Sequence, residues 1–200
     1  MRVIAGSAKG RRLAMVPGDA TRPITDRAKE ALFSIVAAEL PGARVLDVFA
    51  GTGGVGIEAL SRGAAWCDFI DLDLGAIRTI RANLAATGLA DRARVLRRDA
   101  FDFLGDAPTS GYDVVFIAPP QYRGLWSRAM KALDARPEWV ASGGLVIVQI
   151  HPREALPLPF RHFEAGDVRS YGSVQLHFWE RTAPPDVDDP AAEPSSEADS

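Results

Sequence analysis

The chain has 200 residues, 47% of them hydrophobic, a formal net charge of −3 and one cysteine, Cys67. That is one domain's worth of chain with enough apolar material for a substantial core. It offers no run long enough to cross a membrane and no internal disulfide or cysteine-rich metal site, and Met1-Arg-Val-Ile-Ala-Gly lacks the apolar stretch of a secretory signal, so a reducing cytoplasm is the expected location, with Cys67 an inert residue near the start of the second strand.

The first 29 residues hold seven bases (Arg2, Lys9, Arg11, Arg12, Arg22, Arg27 and Lys29) against two acids. Such a patch is an electrostatic footprint for nucleic acid, with Arg2, Lys9, Arg11, Arg12 and Arg22 as the candidate RNA contacts. Residues 1–15 alternate and are broken by Gly6 and Gly10, which predicts a small hairpin of Arg2 to Ala5 against Arg11 to Met15. Residues 1–24 form the expected N-terminal extension. A helix opens near Thr25 and runs to about Glu39, where Pro41-Gly42 ends it. From there strand and helix alternate: strand 44–49, helix 54–62, strand 66–71, helix 74–87, strand 93–97, a helical turn 100–104, strand 112–117, helix 124–135 and strand 143–150. Alternation of this kind implies an α/β fold with a parallel sheet covered on both faces. Residues 160–180 read as two further strands around Ser170-Tyr-Gly-Ser, a terminal antiparallel hairpin. The expected main domain is 25–181. Residues 182–200 carry six acids and no base, and their Pro, Ala, Ser, Asp and Glu content predicts a disordered acidic tail. Without it the body has 23 bases against 20 acids.

The most informative segment is Val45-Leu-Asp-Val-Phe-Ala-Gly-Thr-Gly-Gly-Val-Gly-Ile-Glu-Ala-Leu60. An apolar strand runs into Gly51, Gly53 and Gly56 at G-x-G-x-x-G spacing, a helical period follows, and Asp71 stands 20 residues beyond Gly51. This is the strand–turn–helix context in which backbone N–H groups and a ribose-binding acid hold a nucleotide-like cofactor. Asp47 favours S-adenosylmethionine over a dinucleotide, because a carboxylate four residues before Gly51 could face the ammonium of a methionine moiety. The other reading of Asp47 is that it caps or hydrogen-bonds the glycine loop. Ligands in open α/β sheets bind beyond the carboxyl ends of the strands. There stand Asp71 for the ribose hydroxyls, Asp73 close by, and Asp99 for an adenine amino group. The expected cofactor set is Asp47, Gly51, Thr52, Gly53, Asp71, Asp99 and Ala100. The fourth strand ends in Ala118-Pro-Pro-Gln-Tyr122.

Three stretches carry a resemblance: Arg2-Val-Ile-Ala-Gly-Ser-Ala-Lys-Gly-Arg-Arg12, Arg22-Pro-Ile-Thr-Asp-Arg-Ala-Lys-Glu-Ala-Leu-Phe33, and the glycine loop ending Gly56-Ile-Glu-Ala-Leu60. The chain resembles the bacterial 16S rRNA guanine-N2 methyltransferases of the RsmD type. The resemblance implies a class I S-adenosylmethionine-dependent methyltransferase fold, Rossmann-like, with S-adenosyl-L-methionine as donor and an exocyclic base amine as acceptor. It further implies 16S rRNA or an assembling small ribosomal subunit as partner, held by the basic N-terminal segment.

The acceptor segment departs from the pattern. Families that methylate exocyclic amines carry Asp, Asn or Ser, then Pro-Pro, then an aromatic; here those positions are Ala118, Pro119, Pro120 and Gln121. An aryl amine is a poor nucleophile because its lone pair is delocalised into the ring. A side-chain acceptor and the first proline's carbonyl together align that lone pair on the methyl group. Ala118 removes the side-chain half and leaves the Pro119 carbonyl. Tyr122, next to the missing aromatic, is the expected stacking residue, with Trp126 a further candidate. The catalytic set is therefore Ala118, Pro119, Pro120 and Tyr122. Alternative readings are an RNA-binding module with weak or lost catalysis, a methyltransferase acting on DNA adenine N6 or on a small molecule, and, most distantly, a nicotinamide-dependent oxidoreductase. His151, His162 and His177 show no metal spacing, and in-line methyl transfer needs no metal, so none is expected.

Overall fold

The computed structural model describes residues 1–17 and 25–182; Arg22 and the expected tail beyond Thr182 lie outside the described residues. Seven strands form one sheet: β1 (Arg44–Val48), β2 (Trp66–Asp71), β3 (Ala93–Arg97), β4 (Tyr112–Ile117), β5 (Val140–Ile150), β6 (Phe163–Tyr171) and β7 (Val174–Arg181), in the order β3-β2-β1-β4-β5-β7-β6. The pairings among the first five are parallel, and β7 runs antiparallel to both β5 and β6. This is the methyltransferase sheet with its terminal hairpin. The helices are α1 (Asp26–Ile35), α2 (Gly54–Ser61), α3 (Leu74–Thr87), α4 (Ala100–Gly105) and α5 (Leu125–Ala135).

Period-two alternation sends successive strand residues into two separate cores. Val45, Phe69, Val114 and Phe116 join the cluster formed by α1, α2 and α3. Leu46, Val48, Val115 and Ile117 join the one built around α4 and α5. Asp47 lies between Leu46 and Val48 in sequence, so its side chain points to the α2 face. Thr25 caps α1 by accepting from the Ala28 N–H, as a residue before a helical run should. β5 starts three residues earlier than Ser142-Gly-Gly144 suggested. Those residues form a bulge: Tyr112 pairs with Val140, but Val114 pairs with Leu145.

The N-terminal hairpin does not form as a ladder; a single bridge, Arg2 with Arg12, joins its arms. The physical reason is competition from α2. The N–H groups of Ile4 and Ala5 donate to the Glu58 carboxylate at 2.8 and 2.9 Å, and the Ala8 N–H donates to Ser61 Oγ at 3.0 Å. At Gly6 (φ +83°) an added Cβ would come within 1.8 Å of the Ser61 carbonyl oxygen, so the docking itself requires glycine there. Val3, Ala8 and Leu13 belong to the main core; the segment is a strap integrated into the domain. Lys29 is a second correction. It is fully buried, 3.3 Å from Glu58, and its ammonium donates to the Arg2 carbonyl, so it is not part of the basic surface.

Candidate active site at the carboxyl ends of β1 to β5

The glycine loop is built from both directions. Gly51 N–H donates to Asp71 Oδ2 at 2.8 Å, tying the loop to the end of β2. The Thr52 carbonyl accepts from the Asn83 side chain of α3 at 2.9 Å. Asn83 also accepts from Ala14 N–H and donates to its carbonyl, so one buried amide joins strap, helix and loop. Gly56 lets α2 sit directly on β2: a Cβ there would lie 2.3 Å from the Phe69 ring, which is the close helix–strand packing that the third glycine of this motif permits.

Asp47 is 2% exposed and accepts the Gly56 N–H at 3.0 Å. Burial pushes its carboxyl up to about 8, against the pull of that hydrogen bond. The geometry thus supports the capping reading over the ammonium-facing one: a group so enclosed is largely neutral near pH 7. Asp71 accepts from Asp73 N–H with its other oxygen, at 2.9 Å. Asp73 caps α3 through Ala76 N–H at 2.7 Å. Asp99 caps α4, its Oδ1 accepting from Phe101 and Asp102 at 2.8 and 3.2 Å, while Oδ2 takes no hydrogen bond from the described residues. Ala100 is buried behind it.

These donors suit an adenosine-bearing ligand. Each carboxylate oxygen has two lone pairs, so Asp71 retains acceptor capacity for a ribose diol, and Asp99 Oδ2 is uncommitted. Leu72, directly after Asp71, is 59% exposed and offers an apolar face that nothing in the core covers. Phe101 stands edge-on to Phe49 at 5.9 Å with the Arg128 guanidinium 3.7 Å over its ring. Sequence reasoning passed over Leu72, Phe101 and Asn83. Their signal was position alone, one or two residues past a strand end or in a helix facing the loop.

The acceptor segment emerges beside the loop. Ala118 N–H reaches the Val48 carbonyl at 3.5 Å, so the ends of β1 and β4 lie side by side. Pro119 is buried, Ala118 and Pro120 are half-buried, and Gln121 is exposed. Tyr122 is 64% exposed. Trp126 is 2% exposed, packed in the α5 core with its indole N–H donating to the Glu154 carbonyl; it has no free face, which removes it as a stacking candidate. Two non-glycine residues among those described have left-handed backbone, Phe49 (φ +63°) and Tyr122 (φ +62°). They follow β1 and β4, the adjacent strands on which the sheet order reverses, and strain of this kind collects at functional sites. Arg2, Lys9, Arg11 and Arg12 are all exposed, on the strap that Asn83 fastens to the glycine loop.

A family model described as Conserved hypothetical protein 95 matches residues 1–180. The chain is 42% identical over 156 residues to the Bacillus subtilis protein YlbH, covering 77% of this chain and 84% of that one. It is 34% identical over 183 residues to ribosomal RNA small subunit methyltransferase D of Escherichia coli strain K12, covering 92% and 91%. Among solved structures, the Escherichia coli protein yhhF superposes with a TM-score of 0.81 at 34% identity, covering 91% of this chain and 98% of that one.

Proposed function

The chain belongs to the Conserved hypothetical protein 95 family, and from that premise we propose that it is a methyltransferase that moves the methyl group of S-adenosyl-L-methionine to the exocyclic N2 amine of a guanine in 16S rRNA. Its substrate is the RNA or the assembling small ribosomal subunit, and its location the cytoplasm. Among the described residues, no helix is long and apolar enough to cross a membrane. The observation that carries the reading is the adjacency of the two half-sites. The glycine loop and the Ala118-Pro119 segment leave neighbouring strands side by side, at the point where the sheet order reverses.

S-adenosylmethionine, when bound, supplies an electrophilic methyl group on a sulfonium. The remaining work falls to the chain's own residues. Asp71 and Asp99 orient the adenosine portion, with Gly51, Thr52, Gly53 and Ala100 shaping the pocket around it. The Pro119 carbonyl accepts one N–H of the target amine and turns its lone pair toward the methyl group. Tyr122 packs on the extruded base. Arg2, Lys9, Arg11, Arg12 and Arg22 hold the RNA backbone. The relative named as a small-subunit rRNA methyltransferase, 34% identical over nearly the whole chain, supports this substrate class.

The test is single-turnover methyl transfer to 16S rRNA and to small-subunit particles, followed by mass mapping of the modified nucleotide. Methylated guanine N2 is the expected product. Modification of an adenine overturns the guanine assignment. Absence of transfer to either substrate favours the binding-module alternative, for which Ala118 is the specific motivation.

A further inference from the structure

Beyond Tyr122, the ends of β4 and β5 hold a second set of groups that the motif reading does not use. The Tyr122 N–H donates to Glu154 Oε1 at 2.7 Å, across 32 residues of sequence. Glu154 closes the short turn Pro152–Glu154 that follows β5. The turn is itself anchored, since the Glu154 carbonyl accepts from the buried Trp126 indole. His151 opens it, and its ring centroid lies 5.4 Å from that of Tyr122, tilted by 45°. His151 Nδ1 accepts from Arg153 N–H at 3.2 Å, so in the neutral ring the proton sits on Nε2. Arg123 and Arg153 follow these aromatics closely in the chain; both are exposed, and neither makes an ion pair among the described residues.

The combination is not what folding alone requires. A left-handed tyrosine costs about 1–3 kcal/mol, and the core does not need this ring, which faces solvent. The strain is held in place by a carboxylate fixed to a buried tryptophan. What results is a rigid aromatic pair with a mobile cation on each side, the arrangement that suits a base with its neighbouring phosphates. Resting on the RNA methyltransferase reading above, we propose that the Tyr122–Gly124 loop and the His151–Glu154 turn form one preorganised grip on single-stranded RNA. In it Tyr122 and His151 pack on the target base, Arg123 and Arg153 meet the flanking phosphates, and Glu154 is the positioning residue. The N-terminal strap lies against the donor loop and this grip lies at the acceptor loop, so the RNA contacts the protein on both sides of the site.

The experiment measures affinity for a 16S rRNA transcript and for small-subunit particles over a range of salt, with S-adenosylhomocysteine present. The Arg123→Ala/Arg153→Ala variant is expected to bind about tenfold more weakly and to lower the slope of log K against log salt by about 1.4, at about 0.7 for each single-strand phosphate contact. Glu154→Ala is expected to weaken RNA binding as much as Tyr122→Ala does, roughly tenfold. The Glu154→Ala/Tyr122→Ala double variant is expected to be no weaker than Tyr122→Ala alone, because the two act as one unit. Glu154→Gln keeps a carbonyl acceptor for the Tyr122 N–H and is expected to recover most of the loss, with thermal stability unchanged throughout. An unaltered salt slope, or Glu154 and Tyr122 losses that simply add, overturns the grip. These readouts are independent of turnover. A wild type that methylates but shows those two results retains the proposed function and loses the grip. One that shows the slope change and non-additivity but transfers no methyl group retains the grip and loses the proposed function.

Discussion

The two halves of the site are fixed in different ways. On the donor side every acid does local structural work: Asp47 holds Gly56, Asp71 holds Gly51 and Asp73, and Asp73 and Asp99 cap the helices that follow them. Apart from Asp73 and Asp99, which reach two or three residues along, these contacts join residues 9 and 20 apart within one strand–loop–helix unit. On the acceptor side the chain turns on a strained Tyr122, held by one distant carboxylate. The lesson is that carboxylates which build a loop can also serve its ligand, so structure and binding there share residues. In the acceptor half the residue that faces the substrate and the residue that fixes it are separate.

The largest expected effect comes from removing the foundation of the donor half. Glu58 is buried, pairs with Lys29 and Arg62, and accepts two N–H groups of the strap. Burial pulls the Lys29 amine down from its ordinary value while Glu58 pulls it back up. Glu58→Ala leaves a buried amine and two amides without partners, and breaking such a pair costs about 3–5 kcal/mol. Urea denaturation should show that loss, whereas Glu154→Ala, on the exposed side of the molecule, should unfold like the wild type. Equal losses from both would abolish the distinction between the halves.

Asp47 gives the comparison a pH dependence. Its carboxyl is raised to about 8 by burial, so between the ordinary carboxylate range and pH 8 the folded chain keeps a proton that the unfolded chain has released. The stability associated with that proton is complete at low pH and is lost as pH rises through about 8. Asp47→Asn cannot ionise. Its stability relative to wild type should therefore climb between pH 6 and pH 8, by at most about 1.4 kcal/mol per pH unit. Parallel stability curves for the two proteins would show Asp47 to be ionised throughout, and would reopen its reading as the partner of the ligand's ammonium.

Asp71 tests whether structural and ligand duties coincide. Asp71→Ala should weaken S-adenosylmethionine binding by roughly 1.5–3 kcal/mol, as for hydrogen bonds to a charged group. Asp71→Asn retains one carbonyl acceptor for the loop and should fall between. Calorimetry returning wild-type affinity for a folded Asp71→Ala protein would leave Asp71 with a loop-holding role only. Tyr122→Ala is the counterpart in the acceptor half. It should reduce turnover by the worth of one base stack, roughly 1–3 kcal/mol, while cofactor affinity holds; a parallel loss of cofactor affinity would mean the halves are not separable.

The same contrast explains what could be read from the chain alone. β1 to β4, α3 and the glycine loop follow local rules, with period-two burial, caps such as Asp73 and Asp99, and glycines at close approaches, so their bounds were legible to within a residue or so. The strap was misread as a hairpin because its alternation is real but its N–H groups go to Glu58 and Ser61, more than 50 residues away. Trp126 had the right chemistry and the wrong direction: on α5, the face that carries it also carries Ala129, Met130 and Leu133, and is buried. Glu154 and His151 left no motif because their roles arise from the pairing of two strand ends. Lys29 counted as surface charge because an acid four turns of argument away in sequence, Glu58, could not be seen to meet it.

The smallest expected effect is at Ala118, and it bears most directly on how the acceptor half works. The residue is half-buried beside the end of β1, and it stands where amine methyltransferases of the resembling pattern carry a hydrogen-bonding side chain. Ala118→Asp supplies a second acceptor for the target amine, next to the Pro119 carbonyl. The gain is the net worth of one hydrogen bond, about 0.5–1.5 kcal/mol, offset by the cost of bringing a carboxylate into a partly enclosed position near Asp47. Turnover on the RNA or particle should therefore stay within about tenfold of wild type in either direction, since about 1.4 kcal/mol corresponds to tenfold in rate. Ala118→Asn carries no charge and separates the two contributions: if the carbonyl of Pro119 is the main acceptor, Asn should match or exceed wild type. A large loss in both variants, with cofactor and RNA affinity intact, would show that the wild-type pocket uses the space at position 118 itself, and that amine alignment rests on a group other than the one the motif assigns.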